Sequence, residues 1–190
     1  MKLIKDQFWI KIEKPEEDTL KCGDLELVLN TTYNPLFHAR RYGVVFVAPE
    51  TTSVDFDVKK GDKVWFHHFV PKEDNHIKYI DEENVYLAQI NQIYAREREG
   101  EVKTVHHWNL IEQIVEEESD IKTDSGIYIK SEIEDVLERG VVKHPSERLS
   151  EMGVKVGDKI VFTKNSEYDM DINGEELLRM RDIDILAVYE

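Results

Sequence analysis

A nine-residue run occurs twice in this chain, and that repeat limits the available folds more than any other feature. Val154-Lys155-Val156-Gly157-Asp158-Lys159-Ile160-Val161-Phe162 follows, at a distance of ninety-six residues, Val58-Lys59-Lys60-Gly61-Asp62-Lys63-Val64-Trp65-Phe66. In both, a charged turn with glycine beside aspartate leads into a β-branched and aromatic strand. The flanks agree in the same order. Tyr42-Gly43-Val44-Val45 matches Arg139-Gly140-Val141-Val142, and Glu83-Asn84-Val85-Tyr86 matches Glu175-Glu176-Leu177-Leu178. Ile93-Tyr94-Ala95 then matches Ile185-Leu186-Ala187, with the spacing shortened from 96 to 92 across a loop. A length change of that size is cheap in a surface loop. A period of about 95 residues is domain-sized and too long for a solenoid repeat. The chain therefore reads as a tandem duplication, with domains at 1–96 and 97–190.

Composition narrows the class of protein. The formal net charge of −15 argues against nucleic acid or an anionic membrane as partner. That charge is uneven, with net −3 over residues 1–98 and net −12 over residues 99–190. Cys22 is the only cysteine, which excludes an internal disulfide framework and a multi-cysteine zinc site. No apolar run approaches the ~20 residues of a membrane span, and Met1-Lys2-Leu3-Ile4-Lys5-Asp6 is too broken by charge for a signal peptide. A cytoplasmic location is the expectation.

The pattern along the chain is mostly β. Phe8 to Ile12 reads as a strand, broken by Pro15-Glu16-Glu17-Asp18-Thr19. Leu25 to Leu29 is an apolar island before the turn-rich 30–35, and Gly43 to Ala48 reads as a buried strand. Val85 to Leu87 and Ile90 to Tyr94 close the first copy, and the fully charged segment 96–101 reads as a linker. The second copy repeats this order: an apolar stretch near Trp108-Asn109-Leu110-Ile111, the acidic run 116–120, and an island at Gly126-Ile127-Tyr128-Ile129. Ser131-Glu132-Ile133-Glu134 has the form of a helix capping box, which gives a short helix over about 133–138 with Gly140 at its end. Regularly spaced short strands suggest a small barrel or sandwich in each half.

With these residues on the page, the second copy resembles the C-terminal half of GroES-type co-chaperonins. The resemblance rests on Val154 to Phe162, then Asn173-Gly174-Glu175-Glu176-Leu177-Leu178, then Asp184-Ile185-Leu186-Ala187-Val188. The first copy carries a fainter version in Val58 to Phe66 and Glu82 to Ala95. The family's Pro-Leu-His-Asp-Arg opening is replaced in both copies, save for His107. What the resemblance implies is a mostly β fold of two tandem GroES-like irregular β-barrels. Each barrel would carry a mobile loop whose apolar peptide binds a GroEL-type chaperonin, and a hairpin forming the roof of a dome. By position the mobile loops fall at about 15–35 and 116–134, and the roof hairpins near 49–56 and 144–153. The implied chaperonin-binding residues are Leu27, Val28, Leu29, Ile127, Tyr128 and Ile129. No cofactor is implied for this chain, since the partner chaperonin binds the ATP. A homo-oligomeric ring is implied as well; family rings have seven barrels, whereas two-barrel chains supply six or eight. With no transit peptide before the first domain, a virus-encoded or bacterial lid is expected, working in the host or bacterial cytoplasm.

Elementary energetics agree with such a role. Three large apolar residues in an acidic, Ser/Thr/Gly-containing loop have no core to join unless a partner supplies one. Burying three gains roughly 5–9 kcal/mol, and ordering five loop residues costs about 5–10 kcal/mol. One loop is a weak ligand, and several held in a ring make a strong one. The same peptides would serve as plain strands if the fold were only a structural or assembly module, the main alternative. Enzymatic chemistry has little to stand on. No Gly-x-Gly is present for a dinucleotide or phosphate loop, and no Gly-x-Ser-x-Gly elbow. His67-His68 and His106-His107 are neighbours whose side chains would leave opposite faces of a strand, unsuited to a shared metal. Cys22 has no evident base beside it. The chain is expected to be a non-enzymatic protein.

Overall fold

The computed structural model describes residues 3, 6–13, 19–22, 25–28, 39–78, 84–114, 121–122, 128–129, 137–164, 166 and 168–189. They divide into two units, Met1–His106 and His107–Glu190. The first holds β1 (Gln7–Lys11), β2 (Thr19–Cys22), β3 (Leu25–Val28), β4 (Tyr42–Val47), β5 (Lys63–Phe66), β6 (Val85–Gln89), β7 (Ile93–Arg98) and β8 (Glu101–Thr104). The second holds β9 (Trp108–Gln113), β10 (Ile121–Lys122), β11 (Tyr128–Ile129) and β12 (Leu137–His144), then helix α1 (Glu147–Glu151). Strands β13 (Lys159–Thr163), β14 (Tyr168–Ile172), β15 (Glu175–Arg181) and β16 (Ile185–Tyr189) complete it.

Each unit is built on one six-stranded antiparallel sheet, in the order β6-β1-β4-β5-β7-β8 in the first and β14-β15-β9-β12-β13-β16 in the second. Five strands correspond throughout: β6-β1-β4-β5-β7 has the same order as β15-β9-β12-β13-β16. The irregularities correspond too. One register shift lies between Trp9 and Ile10 where β1 meets β4, and its counterpart lies between Val142 and His144 where β12 meets β9. A second pair lies between Trp65 and Phe66 and between Val161 and Phe162. A 3-10 turn precedes the last shared strand in each unit, Ile90–Gln92 and Asp182–Asp184. Bulges and turns are sequence-encoded kinks, so their repetition marks duplication of a fold and not only of a motif.

The repeated turn explains itself atom by atom. Asp62 accepts the Lys59 N–H at 2.8 Å and Asp158 accepts the Lys155 N–H at 2.8 Å. Gly61 and Gly157 sit at φ 93° and 94°, a conformation that carries little cost only without a Cβ. Their N–H groups donate to Val45 O and Val142 O, which docks the turn on the neighbouring strand. A second glycine pair answers a different need. A Cβ on Gly43 would stand 2.7 Å from Lys11 O and 2.8 Å from Ile10 Cγ2; on Gly140 it would stand 2.4 Å from Ile111 Cγ2 and 2.9 Å from Glu112 O. These glycines let two strands approach where the sheet bends.

Strand alternation sorts the side chains. Phe8, Ile10 and Ile12 enter one core with Val45, Val64 and Phe66. Trp9 faces the other side of the same sheet, against Ile77 and Val85. In the second unit Ile111, Val142, Ile160, Phe162, Leu178 and Met180 form the core.

Several expectations are corrected here. The sheets are mostly β as expected but are not closed barrels. No ladder joins the end strands β6 and β8, or β14 and β16, among the described residues. Exposed Glu101 and Lys103 on β8, and Asp169 and Asp171 on β14, put charge on those ends and oppose further pairing. The charged segment read as a linker at 96–101 is a hairpin: β7 turns at Glu99-Gly100 and pairs back through β8, so the division falls after His106 rather than after 96. The helix expected over 133–138 is contradicted at Leu137 and Glu138, which begin β12, and Gly140 lies inside that strand; its earlier residues lie outside those described. Neither roof hairpin is seen. Residues 144–153 hold α1, whose Ser146 caps Leu149 N while Leu149 enters the core. Residues 49–56 contain no strand, and Phe56 is buried beside Phe8.

Candidate functional site

Between β1 and β4 the chain leaves the main sheet and forms a separate two-stranded hairpin, β2 with β3. Its register is Thr19↔Val28, Leu20↔Leu27, Lys21↔Glu26 and Cys22↔Leu25. The second unit has the same device at the same place, β10 with β11, in register Ile121↔Ile129 and Lys122↔Tyr128. Neither hairpin is hydrogen-bonded into a six-stranded sheet.

The side chains on β3 are unusual for an exposed strand. Leu25 is 69% exposed, Leu27 49% and Val28 85%. Leu25 and Leu27, two residues apart, share one face, and Val28 takes the other. Single exposed apolar residues are ordinary, but three within four residues on a two-stranded ribbon form a patch with no core of its own. Of the six expected contact residues, Leu27 and Val28 lie on β3, and Tyr128 and Ile129 on β11. Leu29 and Ile127 lie outside the described residues. Leu25 was not anticipated, although its alternation with Leu27 was the available signal.

Polar clusters elsewhere are engaged in holding the fold. Asp57 and Asp62 clasp Arg96 and Arg98. Arg96 Nη2 reaches Asp57 Oδ2 at 2.7 Å, and Arg98 makes a two-pronged contact with Asp62 at 2.9 and 2.7 Å. Burial pushes the Asp57 carboxyl up, but the Arg96 and Arg98 hydrogen bonds outweigh it and hold the group down to about 2. This network ties the turn before β5 to β7. In the second unit Asn109, Ser146 and Asp182 form a buried set: Asp182 Oδ1 accepts from Asn109 Nδ2 at 2.8 Å and from Ser146 Oγ at 2.6 Å. Their work is to hold α1 against the base of β9. An open cleft of about 550 Å³ between the turns at 59–61 and 99–100 is lined by both signs of charge, Lys59, Lys60 and Lys63 against Asp62 and Glu97.

His67 and His68 fall in a turn after β5, not on a strand as expected. Their rings stack with centroids 4.2 Å apart, and His67 Nδ1 accepts the Phe69 N–H at 3.1 Å. Stacked imidazoles direct their in-plane lone pairs side by side, away from a common centre. Among the described residues, no three His, Cys, Asp or Glu side chains are grouped to hold a metal ion. No helix among them is long and apolar enough to cross a membrane.

Comparison with known proteins accounts for this architecture. Residues 101–189 match the family model described as Chaperonin 10 Kd subunit. The co-chaperonin GroES of Paracidovorax citrulli is 39% identical over 80 residues, which span 38% of this chain and 83% of that protein. The co-chaperonin GroES of Pelobacter propionicus is 36% identical over 91 residues, 44% of this chain and 94% of the relative. That of Rhodothermus marinus is 37% identical over 75 residues, covering 75% of its length. The chain belongs to the chaperonin 10 family of GroES-type proteins. It carries that architecture as two tandem units, since the first repeats the strand order, bulges and hairpin of the second.

Proposed function

We propose that this protein is a co-chaperonin that caps a GroEL-type chaperonin ring through its paired hairpins and so assists ATP-dependent protein folding. The observation that carries the reading is the hairpin β2–β3, which holds Leu25, Leu27 and Val28 in solvent on a ribbon outside the sheet. Apolar side chains left in solvent this way gain by entering an apolar groove on a partner. The second unit offers β10–β11 at the matching position, with Tyr128 and Ile129 on it and Ile127 adjoining in sequence.

Multiplicity sets the affinity. Each hairpin alone binds weakly, and a ring of chains presents them together, so the bound lid is held tightly while each contact remains easy to release. The lid contributes neither catalysis nor nucleotide binding; the partner's ATP cycle decides when its grooves are presented. A cytoplasmic setting is part of the same reading, and neither nucleic acid nor membrane is a partner.

Co-sedimentation with a bacterial chaperonin, with and without ATP, tests this. The wild type should pellet with the chaperonin only when ATP is present. A variant with Leu25, Leu27, Val28, Leu29, Ile127, Tyr128 and Ile129 all changed to serine should stay in the supernatant. Binding that survives those changes would remove the hairpins from the account. Absence of wild-type binding to any chaperonin from the same cell would leave the structural-module reading in its place.

A further inference from the structure

The sequence contains a single Asn-Gly pair, Asn173-Gly174, and the fold places it at the tip of the hairpin β14–β15. Ile172 pairs with Glu175, so these two residues alone make the turn. Both lie in the left-handed region, Asn173 at φ 57° and Gly174 at φ 90°, as a two-residue hairpin turn requires. Asp171 Oδ1 accepts the Gly174 N–H at 3.0 Å. Asn173 and Gly174 are exposed, but the strand they hold in place is partly sunk: Met170 and Ile172 on β14 are each 4% exposed.

Asparagine before glycine has a reaction of its own. The glycine nitrogen attacks the asparagine side-chain carbonyl carbon, and without a Cβ on glycine nothing shields that approach. Here a bond forms from Gly174 N to Asn173 Cγ. The side-chain amide leaves as ammonia, taking the proton that Gly174 N gives up, and a five-membered succinimide remains. Water then opens the ring at either carbonyl, leaving aspartate or isoaspartate at 173. Two features of the turn oppose the first step. A left-handed residue keeps ψ near about +47°, whereas ring closure needs the glycine nitrogen eclipsed with the asparagine Cβ, roughly half a turn away. The Gly174 N–H is also held by Asp171 and has to leave it. Asn84 supplies the contrast: its φ is 58°, but Val85 follows, and a branched side chain screens the nitrogen.

We infer that Asn173 is a covalent modification site guarded by Asp171 and by the turn, and that it converts to isoaspartate when the tip of β14–β15 opens. Such local openings cost less than global unfolding, so the conversion rate reports on this hairpin. Its consequence is structural. Isoaspartate adds an atom to the backbone of a turn built for two residues, and the register Ile172↔Glu175 is lost. Among the described residues β14 pairs only with β15. Without the turn, Met170 and Ile172 leave their buried positions, and the modified chain keeps β9, β12, β13 and β16 while shedding an end strand. None of this depends on a chaperonin.

Peptide mapping by mass spectrometry, with isoaspartate distinguished from aspartate by fragmentation, tests this on the whole chain aged at mildly alkaline pH. Residue 173 should convert about tenfold or more slowly in the folded wild type than in wild type unfolded in urea. Asp171→Ala, checked for a wild-type far-UV circular dichroism spectrum, should convert several-fold faster than the folded wild type. Asn84 should lag far behind in every sample. Wild type enriched in isoaspartate should lose hydrogen-exchange protection over 168–172 and keep it over β9, β12 and β13. Equal rates in folded and unfolded wild type would overturn the inference. So would an Asp171→Ala chain no faster than wild type, since a slower one would make Asp171 a base and not a guard. Isoaspartate-containing chains with β14 as well protected as before would overturn it too.

Discussion

Asp57 shows how a single residue sets the behaviour of one unit. Its carboxyl is held down to about 2 in the folded chain because two guanidiniums face it, against an ordinary value of about 3.9 when unfolded. A depressed folded value means the stabilisation is complete above about pH 4 and fades as pH falls toward about 2. Asp57 is half exposed, so solvent screens part of the gain. Arg96 is buried, however, and loses a charged partner on Asp57→Asn. That substitution should cost about 1–3 kcal/mol at neutral pH and almost nothing near pH 2, read from urea unfolding at the two pH values. Gly43 and Gly140 make a second residue-scale case. Adding one methyl group at either forces backbone apart, because Lys11 O and Glu112 O stand in its way. Gly43→Ala and Gly140→Ala should each lower stability by about 1–3 kcal/mol, measurable as a drop in Tm of several degrees.

Among the elements, α1 was the least legible in the sequence. Ser146 begins a run, Glu147-Arg148-Leu149-Ser150-Glu151, that has helical character. The resemblance points to a hairpin there by position alone, whereas the Ser146 cap and the burial of Leu149 make a helical turn. Ser146→Ala removes both the cap on Leu149 N and the hydrogen bond to Asp182. The loss should be about 1–2 kcal/mol, at the upper end for a cap because the site is buried, and denaturant unfolding would measure it. The hairpins were legible in part. An apolar island in an acidic stretch set this segment apart from the main sheet, but pairing of Thr19–Cys22 with Leu25–Val28 depends on a partner strand that periodicity alone does not choose. The helix expected to run through Leu137 and Glu138 gave way for a related reason. Leu137 to His144 is claimed by β13 on one side and β9 on the other, and tertiary pairing outweighs a local helix signal. Serine at Leu25, Leu27 or Val28 should each alter stability by less than about 0.5 kcal/mol, since these three are exposed. Lost binding would then report contact and not unfolding.

For the whole molecule, duplication was the most legible feature, because a nine-residue repeat with conforming flanks fixes both strand order and turn. What the repeat concealed is divergence of the two units. The first has its last shared strand sealed by β8 and bound by two arginines; the second leaves Leu186 and Val188 open. Whether the hairpins are the surface that meets a chaperonin can be read directly from hydrogen exchange on this protein with and without an ATP-loaded chaperonin ring. Slowed exchange is expected to be confined largely to residues 19–29 and 121–129, with the six-stranded sheets unchanged. Slowed exchange centred on α1 or on β14–β15, with the hairpins exchanging as in the free protein, would contradict it.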